Sequence, residues 1–147
     1  MMACASPSTL SHAARSLHNS DVSWGLSGIA GLVAHVDSPG AKVLLRAGRR
    51  SNPALLVLLD DPDRFVAAHV LLTVINCREG IDTSSGNTYN TLKLDDLTSA
   101  GPVIAPDQQV QLRRYWTQTK IPLGVVGESP NPSLQRTIPG RSPGYCR

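Results

Sequence analysis

Histidine is the residue type of this sequence best suited to carry chemistry, and His69 is the candidate in the most apolar surroundings. It lies in the segment FVAAHVLLT, four residues before Thr73, so the two share a face if the segment is helical. A general base or metal ligand needs a carboxylate or a second ligand to orient it, and none lies three or four positions away. We therefore interpret His69 as a partly buried histidine that donates to a backbone carbonyl or lines a helix contact. We interpret His35 in the same way.

Three aspartates are crowded into the segment LDDPDRF, at Asp60, Asp61 and Asp63. A calcium loop needs oxygen ligands at alternate positions over about 12 residues, with a central glycine and a closing glutamate, and this segment has neither. Capping explains the aspartates better, because Asp61 can accept from the free amides of a helix that begins at Pro62. The other two add negative charge at the positive end of the helix dipole. The sequence therefore predicts no metal ligand here.

Paired arginines occur at Arg49 and Arg50 and in the segment RRYW at 113–116. Arginine beside an exposed aromatic ring can grip single-stranded nucleic acid. The formal net charge is only +3, however, whereas a nucleic-acid-binding domain usually carries a strong basic footprint. We predict that Tyr115 and Trp116 face the core and that the chain binds no nucleic acid. No phosphate-cradling glycine loop or HExxH motif is present, and we predict no catalytic, cofactor-binding or metal-binding residue.

The three cysteines, Cys4, Cys77 and Cys146, are odd in number, widely spaced and form no CxxC pair. A disulfide framework needs a dense and even set, so we predict reduced thiols that bind no metal. Residues 1–20 lack the apolar run of a secretory leader, although their composition weakly resembles a transit peptide. We expect a cytoplasmic, soluble protein.

The element that must position any site is the apolar segment at 53–75, which only the acidic residues at 60–63 interrupt. The run is too broken to cross a membrane, which takes about 20 successive apolar residues, and we predict no membrane contact. Leucine and valine fill 55–59 with no polar face, so this part must be buried on all sides. A buried strand fits the same pattern, but the Asp-Pro turn favours two short helices.

A second helical pair is predicted upstream. Apolar residues recur at spacings of three and four from 26 to 36, which predicts a helix despite two glycines. The Asp-Ser-Pro segment at 37–39 then caps a further helix that runs through 41–45 and stops near Gly48. Aligning the two turn prolines gives an offset of 23 residues, so we predict an internal repeat in which each unit stacks on its neighbour.

The segment LLRAGRRSNPALLVLLDDPDRFVAAHVLLTVI resembles a HEAT-type helical repeat, in the short form found in phycobilisome-lyase-like proteins. The resemblance covers about residues 26–76 and rests on an apolar first helix, an Asp-x-Pro turn and an Ala/Val-rich second helix. It implies two stacked helical hairpins with a shorter period than usual. One branch of these proteins attaches chromophores, which implies a pocket with His69 or Cys77 pointing inward.

Downstream of the helices, the pattern changes. Residues 77–88 are a polar loop, 89–94 alternate as a half-buried strand, and 102–104 return as its partner. A final helix is predicted over 106–119, with Asp107 in its first turn. The apolar side of that helix is predicted to consist of Val110, Leu112, Tyr115 and Trp116.

The predicted fold is mainly α, with two stacked HEAT-like hairpins, a small β-hairpin and a final helix in one domain at 24–120. A disordered arm at 1–23 is predicted to precede it. Residues 121–147, rich in Pro, Gly, Ser and Arg, are predicted to form a disordered tail.

These patterns predict a non-enzymatic helical-repeat-like module that binds another protein, since helical repeats commonly present such surfaces. An alternative is a lyase-like or enzyme-associated accessory protein. A third is a truncated frame without a selected function, because the tail resembles those of frames that run into an interspersed repeat. No cofactor is predicted in any of the three.

Overall fold

The computed structural model of the protein describes residues 5–27, 31–78, 88–98 and 101–121. The prediction of a mainly α chain is confirmed. The helices are α1 (Pro7–Arg15), α2 (Pro39–Ala47), α3 (Asn52–Leu58), α4 (Phe65–Ile75) and α5 (Asp107–Gln118). The strands are β1 (Val22–Ser27), β2 (Gly31–Val36), β3 (Thr88–Tyr89), β4 (Leu92–Lys93), β5 (Asp96–Thr98) and β6 (Gly101–Val103). They pair as three separate antiparallel hairpins, β1 with β2, β3 with β4 and β5 with β6.

Helix α4 lies at the centre of the core. All of its residues except Val74 are buried, as its uniformly apolar composition requires. It packs against α2, α3, β1 and β2. The prediction of two helices joined by an acidic turn in this part of the chain is therefore confirmed.

The start of α4 differs from the prediction. The carboxylate of Asp61 accepts from the backbone N–H of Asp63 at 2.9 Å and also from the Arg64 guanidinium. This local bond holds residues 62–64 in a turn, as short polar side chains do when they compete with helix formation. The helix begins at Phe65, three residues after Pro62, and Asp61 caps a turn instead of the helix.

The helix predicted over 26–36 is wrong, because the described residues of this segment lie in the paired strands β1 and β2. Val22 pairs with Val36 and Trp24 with Ala34. In β2, Leu32 and Ala34 are buried while His35 is exposed, which is the alternation of a half-buried strand. The predicted 23-residue repeat is therefore wrong. Leu32 lies in the strand β2, whereas Leu55, 23 residues later, lies in the helix α3. The two stacked helical hairpins are not formed as predicted.

Helix α1 occupies part of the segment predicted to be a disordered arm at 1–23. Ser6 caps it by accepting from the backbone N–H of Thr9, and Pro7 takes the first helical position. Buried residues then recur at helical spacing and fix the helix to the core: Leu10, Ala13, Ala14 and Leu17. The prediction is wrong there, because two alanines are enough to complete an apolar face against a close neighbour.

Helix α2 confirms its predicted boundaries. The Ser38 hydroxyl accepts from the backbone N–H of Ala41 at 3.1 Å, and Pro39 takes the first position. Gly48 follows the last helical residue with a φ of 60°, which favours glycine. The chain then turns through a 3-10 segment, Gly48–Ser51, in which the Ser51 hydroxyl donates to the Leu44 carbonyl at 2.7 Å.

The contact between α1 and α2 requires a glycine. A Cβ at Gly40 would lie 2.3 Å from the Ser16 Oγ and 2.6 Å from the Ala13 carbonyl oxygen. We expect Gly40→Ala to lower the free energy of unfolding by about 1–3 kcal/mol, because backbone must move to admit the methyl group. Chemical denaturation measures the change. Lys42→Ala, on the exposed side of the same helix, is the matched control; it removes only a solvent-exposed ion pair with Asp37 and should stay within about 1 kcal/mol of wild type. Equal stability of the two variants would contradict the close approach.

The downstream strands are arranged differently from the prediction. The strand predicted over 89–94 is interrupted at Asn90 and Thr91, so β3 and β4 pair with each other. The return strand predicted over 102–104 corresponds to β6, but β6 pairs with β5 and not with the strand predicted over 89–94. Helix α5 is confirmed. Most of the predicted loop at 77–88 and all of the predicted tail except Ile121 lie outside the described residues. Among the residues that the structure describes, no helix is long and apolar enough to cross a membrane.

The β3–β4 turn places two non-glycine residues in the left-handed region, with a φ of 40° for Asn90 and 73° for Thr91. A β-branched residue is strained there, and the buried Thr91 Oγ1 has no hydrogen-bond partner. We expect Thr91→Gly to raise the free energy of unfolding by about 1 kcal/mol. Asn90→Gly is the informative comparison, because it also removes a hydrogen bond to Thr73 and should destabilise. Destabilisation by Thr91→Gly would contradict the strain.

Candidate functional site

His69 lies in the middle of α4 with no exposed surface. The Trp116 indole Nε1–H donates to His69 Nδ1 at 2.9 Å, and His69 Nε2 lies 3.3 Å from the Tyr89 carbonyl oxygen. An indole nitrogen only donates, so Nδ1 is the acceptor and the imidazole proton is on Nε2. The predicted bond to a backbone carbonyl is therefore present, on a histidine that is fully rather than partly buried.

Aromatic rings surround the imidazole with edge-to-face contacts. The His69 ring centroid lies 6.0 Å from that of Tyr89 and 5.9 Å from that of Trp116. Tyr89 in turn contacts Trp24 at 5.7 Å, and Trp116 contacts Tyr115 at 5.0 Å. These contacts join β1, β3, α4 and α5 around one side chain. We call the group of His69, Trp116 and Tyr89 the histidine cluster.

A second set of hydrogen bonds lies one turn further along α4. The Thr73 hydroxyl donates to the His69 carbonyl at 2.8 Å and accepts from Asn90 Nδ2 at 2.9 Å. Asn90 is almost completely buried. Its Oδ1 has no hydrogen-bond partner, so the Nδ2 bond to Thr73 is the side-chain contact that specifies this arrangement. The β3–β4 turn is thereby fixed to the central helix.

The electrostatics of the histidine cluster keep the imidazole neutral. Burial lowers the pKa of His69 from 6.5 to about 4, and hydrogen bonds with the backbone at Tyr89 and Asn90 oppose this effect without overcoming it. Both ring nitrogens are engaged and no ring atom reaches solvent. In this arrangement the side chain cannot meet a substrate, so what it supplies is the connection between three elements.

The acidic turn separates its aspartates instead of grouping them. Asp60 forms an ion pair with Arg113 at 2.8 Å, whereas Asp61 binds Arg64 and the backbone of Asp63. The backbone hydrogen bond from Asp63 and the nearby Arg64 lower the pKa of the Asp61 carboxyl. Among the described residues, no group of three or more His, Cys, Asp or Glu side chains could hold a metal ion.

Neither aromatic ring of the basic segment at 113–116 is fully exposed. Trp116 is buried and Tyr115 is half-buried, as predicted, so the Trp116 ring cannot stack on a base. Arg50 turns back towards α1 and donates to the Ala5 carbonyl at 2.7 Å. Arg49 is exposed.

Cys77 follows α4 and is disulfide-bonded, so the prediction of a reduced thiol is wrong for this residue. The other two cysteines of the chain, Cys4 and Cys146, lie outside the described residues. An odd and widely spaced set gave no signal of pairing, since spacing does not determine which cysteines meet. In this state Cys77 offers no free thiol as a nucleophile.

Two valines that the sequence analysis predicted to be buried are exposed among the described residues. Val57 on α3 is 71% exposed, although residues 55–59 were predicted to be buried on all sides. Val110 on α5 is 60% exposed, although it was predicted on the apolar side. The positions 112 and 116 define the buried side of α5, and position 110 is about 200° away from 112, a signal available in the sequence.

An ion pair and a hydrogen bond join the end of α3 to α5. Val57 precedes Asp60 by three residues in the sequence, and Val110 precedes Arg113 by three residues. Asp60 and Arg113 form the ion pair described above, and Gln109 Nε2 donates to the Leu59 carbonyl at 3.0 Å. We call the group of Val57, Val110, Asp60 and Arg113 the valine surface.

Comparison of the chain with protein-family models, with curated proteins and with solved structures finds no significant match.

Proposed function

We propose that this protein is a non-enzymatic helical module that binds a protein partner through the valine surface. The observation that carries the proposal is the exposure of Val57 on α3 and of Val110 on α5, two helices whose ends are joined by the Asp60–Arg113 ion pair. Exposed apolar groups together with charged ones are the components of a protein interface. The charges of Asp60 and Arg113 would orient a partner, while the valines supply apolar area.

Both helices that carry the valine surface, α3 and α5, are anchored in the core. Leu55 and Leu58 anchor α3 in the core, and Leu112 and Trp116 anchor α5. A rigid surface loses little conformational entropy on binding, which favours affinity for a given contact area. Gln109 adds a direct bond between the two elements.

The HEAT-like resemblance supports the proposal in a reduced form. Helices α3 and α4 keep the apolar first helix, the Asp-x-Pro turn and the Ala/Val-rich second helix of such a unit. We propose one HEAT-like pair instead of two, framed by α1, α2 and the hairpins. Stacked helical repeats create extended surfaces that bind other proteins.

A cytoplasmic location stays a prediction. The disulfide at Cys77 counts against it, because disulfides form and persist mainly in oxidising compartments. The same disulfide removes Cys77 as the attachment residue of a lyase-like protein.

Site-specific photocrosslinking tests the proposal. A photoreactive amino acid at position 57 or at position 110 should give a discrete crosslinked protein when the full chain is expressed in its native cells. The same group at Gln111 is the matched control, because that residue is exposed on α5 about 100° around the helix. Products at 57 and 110 that match the Gln111 background would contradict the proposal. A crosslink to a second copy of the chain counts as a protein partner.

A further inference from the structure

The two ring nitrogens of His69 respond differently to an added proton. Nε2 already carries a hydrogen and lies 3.3 Å from the Tyr89 carbonyl oxygen, so this contact survives when the imidazole becomes an imidazolium. Nδ1 accepts from the Trp116 indole Nε1–H at 2.9 Å, and it loses its accepting lone pair when the proton is added. An indole nitrogen only donates, so two N–H groups would then face each other. The conflict therefore falls on α5 and leaves the contact with β3 intact.

Helix α5 is attached to the rest of the chain by different contacts at its two ends. Three side-chain contacts hold its first two turns: Gln108 accepts from the Lys93 backbone N–H at 3.0 Å, Gln109 donates to the Leu59 carbonyl at 3.0 Å, and Arg113 pairs with Asp60 at 2.8 Å. Leu112 adds apolar burial to this part of the helix. The buried residue of the last turn is Trp116. Loss of the bond at Trp116 therefore affects the last turn, while the first two remain attached.

We propose that protonation of His69 releases the last turn of α5 from the core, so that Trp116 moves towards solvent while β3 and the first two turns of α5 stay in place. The proton is added at Nδ1, and water replaces the indole as its hydrogen-bond partner. The end of α5 is then an acid-sensitive contact. The inference goes beyond the proposed function and does not depend on it, because Val110 lies in the part of α5 that stays attached.

No charged side chain is a cause of the lowered pKa of His69, which burial lowers and backbone hydrogen bonds at Tyr89 and Asn90 oppose. The titratable side chains of the elements around α4 are mostly exposed: His35 on β2, Lys42 and Arg46 on α2, Lys93 on β4, and Arg113 and Arg114 on α5. Asp21, in the 3-10 segment Asn19–Asp21, is half-buried and accepts from the His18 backbone N–H at 2.9 Å. The phenols of Tyr89 and Tyr115 carry no charge in acid. The response to acid therefore depends on the bond between His69 and Trp116.

The expected size of the effect follows from the pKa of His69 in the two states. It is about 4 while Trp116 is in place, whereas an imidazole open to water has the ordinary value of 6.5. The released state binds the proton more tightly, so acid shifts the equilibrium towards release. Between pH 7 and pH 4.5, the ratio of released to docked chain should rise by up to about 50-fold.

Hydrogen exchange of the Trp116 indole N–H, followed by NMR in the full chain, tests the inference. Its protection factor, the ratio of the intrinsic to the observed exchange rate, should fall by up to about 50-fold between pH 7 and pH 4.5. Backbone amides of α4 should stay better protected than the indole at both pH values, because local release leaves the core folded. Urea below the unfolding range should leave indole exchange unchanged, since release of one turn exposes little surface.

His69→Asn is the matched control, because the asparagine oxygen can accept from the indole but does not titrate in acid. In this variant the indole protection factor should stay constant over the same pH range. An equal fall in the variant and in wild type would overturn the inference. Indole protection equal to that of the α4 amides at pH 4.5, with the same dependence on urea, would also overturn it, because Trp116 would then reach solvent only when the whole chain unfolds. The urea comparison uses the wild-type chain and decides the question even if His69→Asn does not fold.

Discussion

Replacing Trp116 by alanine is expected to lower the free energy of unfolding by about 3–5 kcal/mol. Trp116 is 2% exposed and joins α5 to the central helix. The change removes a large buried ring, opens a cavity and leaves His69 Nδ1 without its donor. Chemical denaturation of the purified chain measures the loss.

Trp116→Phe separates the hydrogen bond from the packing. Phenylalanine keeps most of the ring volume but cannot donate, so we expect a loss of about 1–3 kcal/mol for the unpaired acceptor. Gln118→Ala, an exposed change on the same helix, should stay within about 0.5 kcal/mol of wild type. A Trp116→Phe variant as stable as wild type would show that the indole–imidazole bond adds nothing to the fold.

Acidification from pH 6.5 to pH 4 is expected to remove up to about 3 kcal/mol of stability through His69 alone. The pKa of His69 is lowered to about 4 in the folded chain, whereas the unfolded chain keeps the ordinary value of 6.5. Between these values the unfolded chain binds the proton and the folded chain does not. The contribution is complete above pH 6.5, falls with falling pH, and is exhausted below about pH 4.

A variant without the titrating group isolates this effect. His69→Gln is expected to be less stable than wild type at pH 7 but to lose less stability between pH 6.5 and pH 4.5. The depressed pKa of Asp61 adds a loss of the same sign, but only below its ordinary value of 3.8, outside the measured range. Parallel stability curves for wild type and His69→Gln would contradict the buried, neutral imidazole.

Local signals predicted four of the helices, α2 to α5, because in each the sequence and the tertiary environment agree. The Ser-Pro cap and the terminal glycine define α2, and uniform apolarity defines α4. The region 26–36 was misassigned because a short apolar run satisfies helical spacing and strand alternation together. Pairing with β1 decides in favour of the strand, and no local pattern in the sequence predicts that pairing. Helix α1 was missed because its apolar face is partly alanine, which gains burial only from the close approach at Gly40.

Only part of the histidine cluster could be predicted from the sequence. The lack of a carboxylate or second ligand near His69 indicated a structural histidine, and the structure supplies the carbonyl that this interpretation needs. Its other partner, Trp116, is far away in the sequence and is brought in by the docking of α5, which no local pattern encodes. The exposure of Val57 depends in the same way on which side of α3 meets the core.

The central claim is that His69 is a neutral structural group, and nitrogen NMR of the full chain labelled with ¹⁵N-histidine tests it most directly. We predict that His69 shows a protonated Nε2 and an unprotonated Nδ1 at neutral pH, with no change until the pH approaches about 4. A His69 signal that titrates near 6.5, or that shows the proton on Nδ1, would contradict the account.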